Sequence, residues 1–225
     1  MPCDTLVPCF DAGLPAIGSA IPIHSAAKLA IKRSIDIIGS ALMLICVAPL
    51  MPFIVLAINL DSPGPLIFKP RIIGQGGREF FTYKFRTMRA DAFEILLRDP
   101  ALLATYKQNL KIKNDPRITR VGRFLRKTSL DELPQLWSVL KGDLSLVGPR
   151  MLAQLELEKF GPYRQKLLSV KPGLAGLWVA SGRQNVEFSS RLRLELEYVD
   201  RWSLSLDFWL LIKTFWVMIR AVGAY

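Results

Sequence analysis

The sequence predicts a mainly α chain with a small β-hairpin. It reads as a monotopic membrane protein, with a Pro-broken, re-entrant N-terminal helix and interfacial amphipathic helices. Three observations carry that expectation. The 225 residues are 51% hydrophobic, yet 30 Lys+Arg stand against 19 Asp+Glu, leaving net +11 and an isoelectric point near 9.8. Between Asp36 and Asp61 no charge occurs at all. Cationic clusters flank that run on both sides, Lys28, Lys32 and Arg33 before it and Lys69, Arg71, Arg78, Lys84, Arg86 and Arg89 after it. A chain this apolar is not disordered. Partners that want grease and positive charge together are few: anionic membrane surfaces, lipid phosphates or nucleic acid. Cys3, Cys9 and Cys46 form no CxxC pair, so neither a disulfide framework nor a cysteine zinc site is supported.

Residues 1–27 hold no Lys or Arg, lack the basic start of a signal peptide, and read as a flexible tail. Residues 28–65 read as the membrane helix and its closing turn. The uncharged stretch Ile37 to Leu60, 24 residues, would reach about 36 Å as a straight helix, against a hydrocarbon core of about 30 Å. Pro49 and Pro52 interrupt it, each removing a backbone donor. Cationic flanks prefer the cytoplasmic side, and here both flanks qualify. A helix that breaks at Pro49 and leaves by the face it entered satisfies both. Asp61-Ser62-Pro63-Gly64-Pro65 is a turn by composition.

Residues 66–200 read as a cytoplasmic catalytic domain. Leu66 to Ile73 and Glu79 to Arg86 are β-rich and flank Gly74-Gln75-Gly76-Gly77, a hairpin signature without the spacing of a phosphate loop. Alternation puts Phe81, Tyr83 and Phe85 on one face of the second strand and Thr82, Lys84 and Arg86 on the other. Ala90 to Asn109 reads as helix broken at Asp99-Pro100. Arg117, Arg120, Arg123 and Arg126 recur every third position, which stacks them along one helical side.

From those arginines the chain runs straight into Ser129-Leu130-Asp131-Glu132-Leu133-Pro134-Gln135. Ser129-x-x-Glu132 has the form of a capping box, and Asp131 could itself be an N-cap with Pro134 in the first turn. Either way Asp131 stands at a helix N-terminus, where orphan N–H groups favour phosphate. Neighbouring carboxylates diverge by about 100° on a helix, which suits divided labour, one attacking and one holding a cation. A purely structural role, cap plus dipole complement, is the alternative reading of the same residues. Lys141-Gly142-Asp143 reads as a helix end. Gly148-Pro149 then presents Arg150, and a glycine-punctuated loop from Lys171 ends at Arg183. Such loops fix a guanidinium for bidentate phosphate contact. Residues 201–225 read as an amphipathic interfacial helix, with Trp202, Trp209 and Trp216 seven apart as anchors; a helix packed on the domain's own core is the equal alternative, and the two can coexist.

Taken in order, these motifs resemble the bacterial sugar transferases, monotopic polyprenol-phosphate sugar-1-phosphate transferases, over about Lys32 to Tyr225. The landmarks are Lys32-Arg33-x-x-Asp36, Pro49, Asp61-Ser62-Pro63-Gly64-Pro65 and Lys84-Phe85-Arg86-Thr87-Met88. Arg126 through Gln135, Ser145 to Arg150 and Pro172-Gly173-Leu174-x-Gly176 complete them. The form is the short one, a catalytic core with one re-entrant helix. The resemblance implies transfer of sugar-1-phosphate from a UDP-sugar to undecaprenyl phosphate, with release of UMP, at the cytoplasmic face of the bacterial inner membrane. It implies Asp131 as a nucleophile forming a covalent phosphosugar intermediate and Glu132 as a ligand for Mg²⁺. Lys84, Arg86, Arg126, Arg150 and Arg183 would then neutralise the phosphates. Anionic inner-membrane lipids are implied as partners and nucleic acid is not; the oligomeric state, a homo-oligomer included, stays open. Ala175, Val179 and Glu195 depart from the family's usual residues, which bears on donor choice. The competing class is a non-catalytic membrane-bound basic protein binding anionic lipid or nucleic acid. Acids at Asp131-Glu132, inside the most basic region, argue against it.

Overall fold

The computed structural model describes residues 24–109, 112, 114–182 and 188–220. Most of the expected tail, and Arg183, lie outside the described residues. The apolar run forms α1 (Ala26–Val47) and α2 (Met51–Asp61), joined by one 3-10 turn at Ala48-Pro49-Leu50. The change of helix type falls where Pro49 has no N–H to give to the preceding turn. Pro52 opens α2, where a missing donor costs little. Together Ala26–Asp61 are one stretch long and apolar enough to cross a membrane. Many of its large side chains are exposed, Ile38, Ile45, Phe53 and Leu60 among them, while Ile54 and Ile58 are buried against the rest of the fold.

Polar contacts hold α1 to the rest. Buried Asp36 accepts hydrogen bonds from Ser145 Oγ (3.0 Å) and Leu146 N (2.9 Å). Lys32 donates to Val147 O (2.9 Å) and forms an ion pair with Asp207 (2.5 Å). Arg33 donates to the carbonyls of Val139 and Leu140, both at 2.6 Å. These contacts satisfy the last carbonyls of a helix and tie α1 to the strand that follows it.

The hairpin is present as two short antiparallel pairs in one continuous register. β1 (Ile67–Phe68) pairs β4 (Lys84–Phe85), and β2 (Arg71–Ile73) pairs β3 (Glu79–Phe81). Pro70, with no N–H, sits in the interruption between them, and Thr82 N donates to its carbonyl. The expected alternation does not survive this break. Phe81 is half exposed while Phe80, Thr82 and Phe85 are buried, so the aromatic face changes side where the ladder is interrupted.

α3 (Ala92–Arg98) and α4 (Pro100–Asn109) meet at Asp99-Pro100, as expected. α5 (Arg120–Thr128) is capped by Thr119, whose Oγ1 accepts from Gly122 N. The arginine stack is only partly realised. Arg117 precedes α5 and lies buried in a bidentate pair with Asp115 (2.9 and 2.7 Å). Arg120 and Arg123 are solvent-exposed, and Arg126 alone turns inward. A repeat of three drifts around a helix of 3.6 residues per turn, which separates the last arginine from the first two.

A single 3-10 turn, Leu130–Glu132, leads through Leu133 and Pro134, both right-handed helical, into α6 (Gln135–Lys141). The capping-box expectation fails here. Ser129 is left-handed (φ 59°) and closes α5, its N–H bonding to Arg126 O, and it makes no side-chain cap to the 3-10 turn. Gly142 (φ 91°) ends α6 as expected. Two three-residue strands that the sequence did not announce, β5 (Ser145–Val147) and β6 (Gly173–Ala175), pair in parallel. Between and after them come the short helices α7 (Gln154–Glu158), α8 (Arg164–Leu167) and α9 (Leu177–Ala180). The stretch expected as a loop from Lys171 is therefore β6 plus α9.

α10 (Phe188–Arg201) and α11 (Leu204–Ile219) close the chain. The central core joins Leu136 and Val139 of α6 to Leu144, Leu146 and Val147, with Tyr198, Val199 and Leu210 packed across them. Trp202 is a correction: it is buried, outside α11, with Nε1 donating to Asp207 (3.1 Å). Trp209 and Trp216 are exposed and remain available to an interface.

Candidate active site

Asp131, Glu132, Lys84, Arg86, Arg126 and Arg150 all line one cavity of about 1320 Å³. The hairpin delivers Lys84 from β4 and Arg86 just after it, the inward end of α5 delivers Arg126, and the loop after β5 delivers Arg150. That last loop is tightly determined. A Cβ on Gly148 would sit 2.5 Å from Lys171 O, and one on Gly173 would sit 2.1 Å from Gly148 N. Only glycine allows the two backbones to approach this closely.

Glu132 is the hub of the cations. Arg150 grips it in a fork, Nη2 to Oε1 at 2.6 Å and Nη1 to Oε2 at 3.2 Å, and Lys84 Nζ adds a third contact to Oε1 at 2.8 Å. Burial alone would raise the Glu132 carboxyl, but Arg150 and Lys84 outweigh it and hold it well below the usual carboxylate range. Burial likewise works against charge on Arg150, and the Glu132 carboxylate reverses this, raising its pKa.

Asp131 is treated differently by the fold. It is 9% exposed, and among the described residues no hydrogen bond reaches its carboxylate. Burial first, then repulsion from Glu132, pushes it up to about 6, against the pull of Lys84, Arg126 and Arg150. The neighbouring acids thus differ sharply: the cations hold Glu132 in its charged form, whereas burial favours the protonated form of Asp131. Arg126 stands beside it, its Nε donating to Thr87 Oγ1 (2.9 Å), and burial lowers its pKa.

Arg86 lines the cavity, but its terminal nitrogens donate to the carbonyls of Ser62 and Pro63 (3.1 Å). It therefore pins the turn after α2 to the site. Of the departures from the family pattern, Ala175 and Val179 line the cavity. Glu195 lies beneath it, 1% exposed, with Oε2 accepting from Arg150 N (3.0 Å). Burial raises Glu195 to about 7. Sequence reasoning missed this support for the Arg150 loop. The signal was readable: Glu195 shares a helical face with Leu192, Leu196 and Val199, all buried.

A profile of the bacterial sugar transferases matches residues 27–221. The undecaprenyl-phosphate galactose phosphotransferase of Salmonella typhimurium is 45% identical over 199 residues, which is 87% of this chain and 42% of that protein. The exopolysaccharide production protein ExoY of Rhizobium meliloti is 37% identical over 84% of each chain. The UDP-glucose:undecaprenyl-phosphate glucose-1-phosphate transferase of Escherichia coli K12 is 34% identical over 90% of this chain and 41% of that protein. The chain thus spans about two fifths of the longer relatives and most of ExoY. With the match running from the first turns of α1 to just past α11, and with the acid pair and its cations inside it, the chain belongs to the bacterial sugar transferase family.

Proposed function

We propose that the chain transfers a sugar 1-phosphate from a UDP-sugar to undecaprenyl phosphate, releasing UMP, as the first membrane step of exopolysaccharide or glycoconjugate assembly. The observation that carries this reading is Asp131, an unengaged carboxylate beside Lys84, Arg126 and Arg150, in a cavity that membrane-helix residues also line. The relatives' names point the same way, toward galactose or glucose phosphate and undecaprenyl phosphate.

The chemistry follows from charge. An Asp131 oxygen forms a bond to the sugar-bearing phosphorus while the bond from that phosphorus to the bridging oxygen breaks, and UMP leaves with that oxygen. A phosphate oxygen of the lipid then attacks the same phosphorus and expels Asp131, giving a diphosphate-linked sugar. One phosphoanhydride becomes an acyl phosphate and then another phosphoanhydride, so little driving force is required. The barrier is the meeting of anion with anion, and fixed cations in a partly dry site lower it. Arg126 and Lys84 face the attacking carboxylate, and Arg150 holds Glu132 in place. Covalent catalysis lets a soluble donor and a lipid acceptor visit one site in turn.

Mg²⁺ fits this site in a limited way. No cluster of three or more His, Cys, Asp or Glu exists among the described residues, so an all-protein cage is absent there. Mg²⁺ is commonly held by one or two carboxylates plus substrate phosphates. Glu132, 24% exposed at its side chain, would be the protein ligand, and the ion would supply charge neutralisation at the diphosphate. Lys84 would then be released toward phosphate.

The re-entrant course of α1 and α2 is part of the same proposal, because it leaves the cations of both flanks on the cytoplasmic face with the donor. The test is a donor half-reaction. Purified protein with UDP-sugar and Mg²⁺ should release UMP before any lipid is added and should acquire a labelled phosphosugar. Asp131→Asn should abolish both. Wild-type release by that variant would remove Asp131 from the attacking role, whereas no release by the wild-type protein would revive the non-catalytic anionic-lipid binder.

A further inference from the structure

Resting on that reading, we infer that the hydrocarbon tail of the acceptor lies in a cleft between α1 and α11, floored by β5 and β6. The cavity at Asp131 does not end at the charged residues. It continues along Ile35, Gly39, Leu42 and Met43 of α1 on one side and along Leu211, Thr214, Phe215 and Met218 of α11 on the other, with Leu146 and Leu174 below.

The two walls start from one point and advance at the same rate. Lys32 and Asp207 clamp the helices together at 2.5 Å. From Lys32 to Met43 and from Asp207 to Met218 each helix advances 11 residues in sequence, about 16 Å. The wall positions recur at three and four residues, so each wall is one stripe of its helix. Both helices pack on β5, which leaves the gap between them open above the strands. Leu42 (58%) and Phe215 (61%) are exposed as well as cavity-lining, so the cleft opens sideways.

Charge is segregated within this single cavity. Every charged lining residue comes from elements other than α1 and α11: Lys69 lies between β1 and β2, Lys84 on β4, Arg126 on α5 and Arg150 after β5, for example. One end therefore suits a phosphate and the other a long alkyl or isoprenyl chain, joined without an intervening barrier. A ligand with both parts covalently linked fills such a space better than two separate molecules. Gly39 lets α1 sit close on the floor: a Cβ there would approach Leu146 Cδ1 to 2.8 Å, so a larger side chain at this position must displace Leu146 and reshape the cleft.

The test separates head from tail. Gly39→Leu and Thr214→Phe, one on each wall, should raise KM for undecaprenyl phosphate about tenfold, the cost of losing contact with one or two buried carbons. KM for a short, soluble farnesyl phosphate and the rate of UMP release without lipid should stay within about twofold of wild type. Ile212→Phe, on the outer side of α11, should change none of these. Unchanged KM for the long acceptor in both wall variants would overturn the inference and leave the cleft to bulk phospholipid. An equal loss with farnesyl phosphate would overturn it too, by locating the damage at the phosphate end. If a wall variant loses UMP release through misfolding, photolabelling of the wild-type protein with a diazirine-bearing polyprenyl phosphate decides: adducts in 35–43 and 211–218 support the cleft, and adducts confined elsewhere refute it. Failure of the proposed reaction itself would be seen separately, as absent UMP release by the wild type.

Discussion

Two buried carboxyls tie stability to pH, and for one of them, Asp131, the proposed reaction responds in the opposite sense. Asp131 rises from 3.8 to about 6 and Glu195 from 4.5 to about 7, in both cases chiefly through burial. A raised carboxyl favours the folded state when protonated. That contribution is complete below the unfolded values, near pH 4, and is lost as pH climbs through 6 and 7. At about 1.4 kcal/mol per unit, each group costs on the order of 3 kcal/mol when ionised at pH 8. Glu132 acts with the opposite sign, but its pKa is held low, so its effect falls below this window. We expect Tm to drop between pH 5 and 8, and Asp131→Asn and Glu195→Gln each to flatten part of that drop, Asp131→Asn at the expense of the donor half-reaction. On the proposed mechanism UMP release should instead rise through pH 6, because an attacking Asp131 must be ionised. A flat Tm across that range would contradict the burial argument. At this scale the sequence was informative where charge and backbone chemistry coincide: the acids inside a basic stretch and the arginine after Gly148-Pro149 meet in one cavity. Glu195 was overlooked although its helical face, shared with Leu192 and Val199, marked it as buried; its bond to Arg150 N is what only the fold shows.

Elements were legible where backbone chemistry marks their ends. Pro100 and Gly142 stop and start helices as read, and the Gly74 to Gly77 turn makes a hairpin. What escaped were features created by approach between distant segments. β5 and β6 are three residues each and exist because Gly148 and Gly173 let their loops touch. Ser129 reads locally as a cap, yet the close succession of α5 and α6 makes it a left-handed corner. Gly122 gives a test of such approach. It lies inside α5, where exchange to alanine normally gains about 1 kcal/mol. Here a Cβ would meet Thr87 O at 2.0 Å. Thr87 O also accepts from Thr119 N (3.1 Å), and Thr87 Oγ1 holds Arg126. Gly122→Ala should therefore push α5 off residues 87–89 and carry Arg126 with it. The expected result is a loss of about 1–3 kcal/mol in unfolding free energy with UMP release down at least about tenfold. The sign decides: a stabilised variant would mean that α5 docks otherwise.

On the scale of the whole molecule, the apolar stretch Ala26–Asp61 is held near both ends by the rest of the fold. Near its start, Lys32 binds Val147 O and Asp207, Arg33 binds the end of α6, and Asp36 is buried against β5. At its far end Asp61 Oδ2 accepts from Val121 N (2.8 Å), opening α5, while Ile54 and Ile58 of α2 pack with Leu125 and Phe85. Between the anchors the exposed apolar side chains surround the 3-10 turn at Pro49. A straight span would carry one anchored end about 30 Å across the hydrocarbon, together with its charged partners. A hairpin that dips and returns carries none of them. In protein whose Cys3, Cys9 and Cys46 have been replaced, cysteines introduced as Ser25→Cys and Ser62→Cys should both react with a membrane-impermeant thiol reagent in inside-out vesicles and neither in right-side-out ones. Modification of the two positions from opposite faces would establish a span, and it would demand that the Lys32–Asp207 and Asp61–Val121 contacts do not coexist in the membrane.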